Sequence, residues 1–207
     1  MFERSATHRW VNVWDPVVRL FHWSTVGLFC VAYYSAEWGQ NEDHLIVGYL
    51  LAVILLVRLV WGFLGSEHAR FASFWYGFRH SLQYAKSLLR GAPAHYLGHN
   101  PLGAAMVFIL LGLLLLMSAS GLVLAAGLEF EGPLLPLNSV LSDDSVYLLL
   151  KLHRYTAYLM LACIAFHVLG VVSSSRLHHE NLLLAMITGK KPLPSDPPSS
   201  SHEGLKP

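Results

Sequence analysis

The 207-residue chain is 54% hydrophobic, only 13% of its residues are charged, and its formal net charge is +1. Soluble domains carry about 25% charged residues, so this composition excludes an ordinary soluble protein and indicates an integral membrane protein. The near-neutral charge balance also argues against binding to nucleic acid, which basic surfaces attract, so no nucleic-acid partner is expected.

Four apolar segments follow one another along the chain, each near or above the roughly 20 residues that cross a bilayer as a helix. We predict spans at residues 17–36, 44–64, 101–126 and 145–172. In the hydrocarbon core, backbone polar groups must bond within the segment, which favours α-helices. The sequence therefore predicts an all-α fold, an integral membrane four-helix bundle. No cleavage site follows the first span, so we expect that span to remain in the membrane.

Charged residues outside the predicted spans and near their ends are unevenly distributed. Cations dominate the N-terminal segment, the connection between spans two and three, and the C-terminal tail: Arg4, Arg9, Arg19, Arg70, Arg79, Lys86, Arg90, Arg176, Lys190, Lys191 and Lys206. The other two connections are rich in acids: Glu37, Glu42, Asp43, Glu129, Glu131, Asp143 and Asp144. Lys and Arg favour the cytoplasmic side. Both termini are therefore expected in the cytoplasm, with the bundle in a bacterial inner membrane.

Two polar segments accompany the spans. Residues 71–90, FASFWYGFRHSLQYAKSLLR, are too polar to cross, and their alternating aromatic and basic side chains suit a helix in the cytoplasmic membrane interface. Residues 180–187 are a second candidate. From Lys190 onward Pro, Ser and charged residues dominate. We therefore divide the chain into a membrane domain at 1–189 and a disordered cytoplasmic tail at 190–207.

Four histidines lie near the ends of three predicted spans: His22, His44, His153 and His167. The last two are fourteen residues apart on span four, which places them about 21 Å apart on nearly the same helix face. In the predicted orientation, His22 and His167 lie near the cytoplasmic side, and His44 and His153 near the periplasmic side. Ionisable residues inside spans are costly and usually functional. We interpret the four as two pairs of axial ligands for two stacked haems.

The positions of the cysteines indicate which type of haem would bind, and the absence of acids from the predicted spans argues against another metal site. Cys30 and Cys163 both lie inside predicted spans, and no Cys-x-x-Cys-His motif occurs, so the haems would be non-covalently bound b-type haems. Two other classes of protein remain as alternatives: an intramembrane metal transporter or metalloenzyme, and a structural membrane anchor. The first usually adds carboxylates inside the membrane or a His-Glu-x-x-His motif, which the predicted spans lack.

The histidines lie within longer motifs. These are VWDPVVRLFHW at the first span, HLIVGYLLAVILLVRLVWGF at the second, GHNPLGAAM before the third and KLHRYTAYLMLACIAFH in the fourth. Together they resemble the bacterial cytochrome b561 and nickel–iron hydrogenase b-type cytochrome family over roughly residues 10–190. The resemblance implies a four-helix, two-haem inner-membrane cytochrome whose ligand positions fall on the four histidines named above. Hydrogenase-linked members usually differ in spacing and loops, so the resemblance does not indicate a hydrogenase subunit.

Several residues near the histidines are candidates for cofactor contacts. Candidate propionate partners are Arg19, Arg58, Lys151 and Arg154. Arg58 either pairs with a propionate or extends to the membrane interface.

A further candidate site lies just before span three. His99 and Asn100 could donate to a quinone head group or to a propionate, while Asn100 before Pro101 also suits a helix N-cap. The histidines in the surface segments are expected to be solvated: His68, His80, His95, His178 and His179.

The expected function is electron transfer by two haem b groups between the quinone pool, ubiquinone or menaquinone, and a redox partner. That partner would be a periplasmic cytochrome c or a dehydrogenase. Two alternatives are a quinone-linked superoxide oxidase and a haem-bearing membrane anchor of a periplasmic dehydrogenase. The acidic outer connection at residues 128–144 either docks a basic partner or is acidic because cations resist translocation.

Overall fold

Long helices form most of the structure. The computed structural model describes residues 10–91 and 94–192. Within them, six α-helices follow in chain order: α1 Pro16–Glu37, α2 Asn41–Leu64, α3 Phe78–Leu89, α4 Pro101–Leu124, α5 Asp143–Leu177 and α6 Leu182–Thr188. The shorter elements are β1 Trp10–Asn12, a 3₁₀ turn Phe71–Phe74, a π-helical turn Ala125–Glu129, a 3₁₀ turn Leu135–Val140 and β2 Lys190–Pro192. The expected all-α class is confirmed, with one small strand pair added.

Side-chain caps start three of the long helices, and in α1 and α4 the cap is followed by a proline. Asp15 accepts a hydrogen bond from a backbone nitrogen in the first turn of α1, and Pro16 occupies the first helical position. Asn100 and Pro101 do the same for α4, where Asn100 Oδ1 accepts from Gly103 N at 2.8 Å. The side-chain oxygen satisfies a backbone N–H that the helix leaves unpaired, and proline has no N–H to satisfy. The N-cap role predicted for Asn100 is therefore present.

Three helices of the described chain are long and apolar enough to cross a membrane: α2, α4 with its π turn, and α5. α1 has 22 residues, enough for about 33 Å, but Arg19, His22 and several hydroxyl side chains make it less apolar. α5 has 35 residues, so it extends well beyond the predicted span and beyond a hydrocarbon core of about 30 Å. Length and composition thus bear out three of the four predicted spans.

The four long helices share one apolar core. Its buried members are Ala32 from α1, Val47, Leu51 and Leu55 from α2, Leu111 and Leu114 from α4, and Met160 from α5. Many other large apolar side chains of these helices point outward, among them Phe63 at 72% and Leu169 at 61% exposure. Extensive exposed apolar surface marks contact with a membrane or a partner. The helices therefore pack around a narrow core and present most of their apolar surface to their surroundings.

A two-stranded ribbon ties the two ends of the described chain together. β1 pairs antiparallel with β2, Trp10 opposite Pro192 and Asn12 opposite Lys190. Residues 190–192 therefore form a strand, although the sequence assigns them to a disordered tail; the rest of that tail, residues 193–207, lies outside the described residues. The N-terminal cations Arg4 and Arg9 also lie outside them.

The polar segment 71–90 forms two elements instead of one helix, because extended residues 75–77 separate the 3₁₀ turn from α3. α3 packs on the start of α4: Tyr84 is 5% exposed, and Ser81 donates a hydrogen bond to the carbonyl of Pro101 at 3.4 Å. The second predicted polar helix, residues 180–187, corresponds to the seven-residue α6.

Candidate functional site

The four predicted ligand histidines form two pairs. The ring centres of His44 and His153 are 6.2 Å apart with their planes at 81°, and those of His22 and His167 are 6.4 Å apart with their planes at 54°. One pair joins α2 to α5, and the other joins α1 to α5. These are the same pairs that the predicted membrane depths require.

The separation within each pair fits one metal ion between the rings. A metal–nitrogen bond is about 2 Å long and a ring nitrogen lies about 1.2 Å from its ring centre, so two imidazoles on opposite sides of one ion have centres about 6.4 Å apart. A direct hydrogen bond between two ring nitrogens would bring the centres to about 5 Å. Two imidazoles of this kind suit a haem iron.

Hydrogen bonds hold one nitrogen of each ring in the His44–His153 pair. Nδ1 of His44 donates to the carbonyl oxygen of Ala32 at 2.9 Å. Nδ1 of His153 donates to Oγ of Ser120 at 2.8 Å, and that hydroxyl donates to the carbonyl of Leu116 at 2.7 Å. A carbonyl can only accept, and the Ser120 proton is already used. Both Nδ1 atoms therefore carry the ring proton, and both Nε2 atoms keep a lone pair for a metal.

The His22–His167 pair lies in a less complete environment. Nδ1 of His22 is buried and has no hydrogen-bond partner within residues 10–91 and 94–192. A buried polar atom without a partner is costly, so this pair calls for a further group beside it. His153 and His167 are fourteen residues apart on the continuous α5, which separates the two pairs by about 21 Å along that helix.

Comparison with known proteins identifies the family. The family model described as prokaryotic cytochrome b561 matches residues 13–189. The chain belongs to the prokaryotic cytochrome b561 family. It is therefore an integral membrane b-type cytochrome that transfers electrons, and b-type haem is the group that its histidine pairs have to fit.

Three curated relatives are each named "Probable Ni/Fe-hydrogenase B-type cytochrome subunit". The protein of Rhizobium leguminosarum bv. viciae is 25% identical over 91% of this chain and 92% of its own length. That of Azotobacter vinelandii is 26% identical over 91% of both chains, and that of Rhodobacter capsulatus is 23% identical over 90% of this chain and 83% of its own. No solved structure gives a significant match.

Two of the candidate propionate partners of this b561-family cytochrome donate hydrogen bonds to backbone carbonyls. Arg58 is 3% exposed; it donates to the carbonyl of Ala69 at 3.2 Å and its guanidinium lies 4.9 Å from the ring centre of Phe71. Arg19 donates to the carbonyl of Ile187 at 2.6 Å. Each keeps one buried nitrogen without a partner in the described chain, Nη1 of Arg58 and Nε of Arg19. Arg58 therefore turns into the protein and does not extend to the interface.

The other two candidates lie at the surface. Lys151 is exposed, with its ammonium 4.3 Å from the ring centre of Tyr147. Arg154 follows His153 directly and is also exposed. Neither is held by the protein in the way that Arg58 is.

The ring of His99 packs against the rings of Trp14 and Phe74, whose centres each lie 4.6 Å from its own. One side of it faces a cavity of about 160 Å³, whose polar lining includes His68 and Tyr76. Burial is the main cause that lowers the pKa of His99 to about 3, and the positive charges of Arg58 and Lys191 contribute to the same shift. The ring is therefore neutral at physiological pH and can donate one hydrogen bond and accept another.

Asp15 joins the start of α1 to the end of α2, a role that the sequence reasoning missed. Its Oδ2 accepts from Trp61 Nε1 at 3.0 Å and from the Ser66 hydroxyl. Burial raises the pKa of Asp15, but hydrogen bonds from Ser66, Val18 and Trp61 lower it by more, so it lies below the ordinary 3.8. The Asp–Pro step in VWDPVVRLFHW was the available signal, because this pair favours a helix start.

A polar cluster around Glu180 was also missed, because two of its members were expected to be solvated. Glu180 contacts Lys191 Nζ at 3.1 Å and His95 Nε2 at 2.5 Å, and His178 lies 5.3 Å from His95 between ring centres. Lys191 is only 4% exposed. Burial raises the pKa of Glu180, but the hydrogen bond from His95 and the charge of Lys191 lower it by more. The cluster forms because β2 returns Lys191 to the bundle.

Proposed function

We propose that this cytochrome holds two haem b groups, one between His22 and His167 and one between His44 and His153, and carries electrons between the quinone pool and a redox partner. The observation that carries the proposal is the pairing of four histidines at 6.2 and 6.4 Å, at two levels of one helix. The free Nε2 atoms of His44 and His153 support it. Haem with two histidine ligands supplies one-electron redox chemistry, and the protein fixes the ligands and the distance between the two groups.

Single alanine variants of the four histidines test the ligand assignment. His153→Ala and His44→Ala should each remove mainly one haem, and His167→Ala and His22→Ala mainly the other. Haem is counted by acid-acetone extraction, and the two groups are distinguished by redox titration of the absorption spectrum. His80→Ala is the control, because His80 is exposed on α3 and should leave haem content unchanged. One haem in the fully loaded wild type would refute the scheme.

We further propose that α1, α2, α4 and α5 all cross the inner membrane as a four-helix bundle with both termini in the cytoplasm. The shared core of the four helices and the position of the cations support this arrangement. It puts α3 in the cytoplasmic membrane interface and the loop between α4 and α5 in the periplasm. Reporters fused after Pro207 and within residues 75–90 should be cytoplasmic, and one within 128–142 periplasmic. A periplasmic reporter within 75–90 would overturn the topology.

For the quinone, we propose the cavity beside His99. Reduction of a quinone to a quinol takes two electrons and two protons. A haem held by His22 and His167 would supply the electrons one at a time, and water on the proposed cytoplasmic side would supply the protons. The neutral ring of His99 can donate a hydrogen bond to a quinone carbonyl.

His99→Phe keeps the aromatic packing against Trp14 and Phe74 and removes both ring nitrogens. The variant should keep both haems, but an added quinone analogue should oxidise the reduced haem at least tenfold more slowly than in the wild type. If His99 instead contacts a propionate, the variant shifts the potential of one haem and leaves the quinone rate unchanged. Arg58, with its unpartnered Nη1, is the proposed propionate partner on this side.

The names of the relatives favour a hydrogenase-like dehydrogenase as the partner, with this chain as its haem-bearing membrane anchor. The outer connection supports a periplasmic docking surface, because four acids there are exposed: Glu129, Glu131, Asp143 and Asp144. Replacing them with Gln or Asn should slow electron exchange with a basic partner, mainly at low salt. For the alternative of a superoxide oxidase, haem reduction by superoxide would be measured directly; the absence of reduction excludes it.

A further inference from the structure

The surface of α3 is divided lengthwise into three faces. Tyr84 and Ser81 lie on the inner face, which packs on the start of α4. Phe78 and Leu82 lie on an apolar face and are 82% and 46% exposed. Trp75, just before the helix, is 72% exposed. An exposed apolar strip on a helix with a polar side beside it is typical of an element that lies in a membrane interface.

The third face is cationic. At about 100° per residue, Arg79, Lys86 and Arg90 fall within an arc of roughly 40°, directly beside the apolar face. All three are exposed, and the helix contains no Asp or Glu. The positive charge of this face is therefore not neutralised by α3 itself.

A surface groove lies at the C-terminal half of this face. It has a volume of about 370 Å³ and is lined by Gln83, Lys86, Ser87 and Arg90. The Ser87 hydroxyl donates to the carbonyl of Tyr84 at 2.8 Å, so the ammonium, guanidinium and amide groups are the donors that face the groove. Cationic donors without a carboxylate among them suit a phosphate group.

Helix stability alone does not account for the three cations. Lys86 lies in the last turn and Arg90 at the C-cap, where a positive charge is favourable to the helix dipole. Arg79 lies in the first turn, where the same charge is unfavourable. A negatively charged surface parallel to the helix would favour all three positions equally.

We propose that α3 binds the headgroup phosphate of an anionic phospholipid, with Phe78 and Leu82 in the acyl region and Lys86, Arg90 and Arg79 at the phosphate level. The inference rests on the proposed cytoplasmic position of α3, since the cytoplasmic leaflet carries anionic lipid. The lipid then fastens the segment that joins α2 to α4 against the membrane.

The test uses the full-length cytochrome with both haems, reconstituted into phosphatidylcholine vesicles that contain a trace of spin-labelled lipid. Spin-labelled phosphatidylglycerol should associate more strongly than spin-labelled phosphatidylcholine, measured as the motionally restricted fraction. Lys86→Gln with Arg90→Gln should lower that preference by about fivefold or more. Arg79→Lys with Arg90→Lys keeps the charge and should keep the preference. His80→Gln, a neutral change on the same helix outside the groove, is the control.

Three results would overturn the proposal. One is equal association of the two lipids with the wild type, and another is an unchanged preference in the doubly neutral variant with normal haem content. The third is inorganic phosphate that binds to the groove without any lipid preference, which would assign the groove to a soluble anion. If the lipid test fails but a reporter within residues 75–90 is cytoplasmic, only the lipid site is refuted and the proposed topology is retained.

Discussion

Replacement of Ser120 by Ala tests how the protein holds His153. The hydroxyl accepts from His153 Nδ1 at 2.8 Å and donates to Leu116 O at 2.7 Å, and Ser120 is 3% exposed. Without it, Nδ1 of the partly buried His153 loses its hydroxyl acceptor, which costs about 1–3 kcal/mol. At 1.4 kcal/mol per factor of ten, this corresponds to about 5- to 150-fold. Loss of the hydrogen-bond partner of a metal-bound histidine typically lowers the affinity for the metal by about 10–100-fold, which is in the same range.

The prediction is that Ser120→Ala loses one haem preferentially during dilution or competition with apomyoglobin. The substitution should also lower the basicity of the His153 ring and therefore shift the redox potential of that haem in the molecules that still bind it. Redox titration of the absorption spectrum identifies the affected haem as the one also lost in His44→Ala. Ser118→Ala is the matched control. Ser118 lies two residues away on the same helix, whereas the hydrogen bond with His153 is made by Ser120. Equal haem retention and equal potentials in both serine variants would refute the argument.

Two further predictions concern residues that join elements. Asp15→Ala should lower the free energy of unfolding in detergent by about 1 kcal/mol, because the helix cap is lost. The pKa of Asp15 in the folded protein lies below its ordinary 3.8, so its stabilisation is present above about pH 4 and disappears as the pH falls through the folded value. The variant should therefore lose less stability than the wild type over that acid range. Parallel curves of stability against pH for the two proteins would contradict this. Glu180→Gln leaves the ammonium of Lys191 without a carboxylate at a cost of about 1–3 kcal/mol, so amide exchange in β1 and β2 should accelerate while α5 is unaffected; unchanged exchange would show that the ribbon does not depend on the ion pair.

The long helices could be predicted because length, apolarity and caps act locally. Asn100 before Pro101 marks the start of α4 in the sequence as clearly as in the structure. The pairing of His22 with His167 and of His44 with His153 also followed from local information, because charge distribution gives the direction of each helix and therefore the depth of each residue.

Contacts between distant residues could not be predicted in the same way. Ser120 lies 33 residues from His153, and nothing in a serine within an apolar run indicates which ring it will face. Lys191 belongs to a segment rich in Pro and Ser, whose composition indicates disorder, yet it is buried against Glu180 because β2 pairs with β1. Composition describes a segment by itself, whereas these contacts depend on what the rest of the chain brings to it.

The pairing of β1 with β2 also sets an order for biosynthesis. Trp10 leaves the ribosome early, while its partner Pro192 is made last among the described residues. Closure of so large a loop costs only about 2.6 kcal/mol more than closure of a ten-residue loop, so the delay is a matter of timing more than of energy. Throughout synthesis of α1, α2, α4 and α5, the end of the bundle that contains His99 lacks the strand pair. Only a chain translated as far as residue 192 can form the strand pair, so a shorter product carries an unpaired strand edge that a protease can recognise.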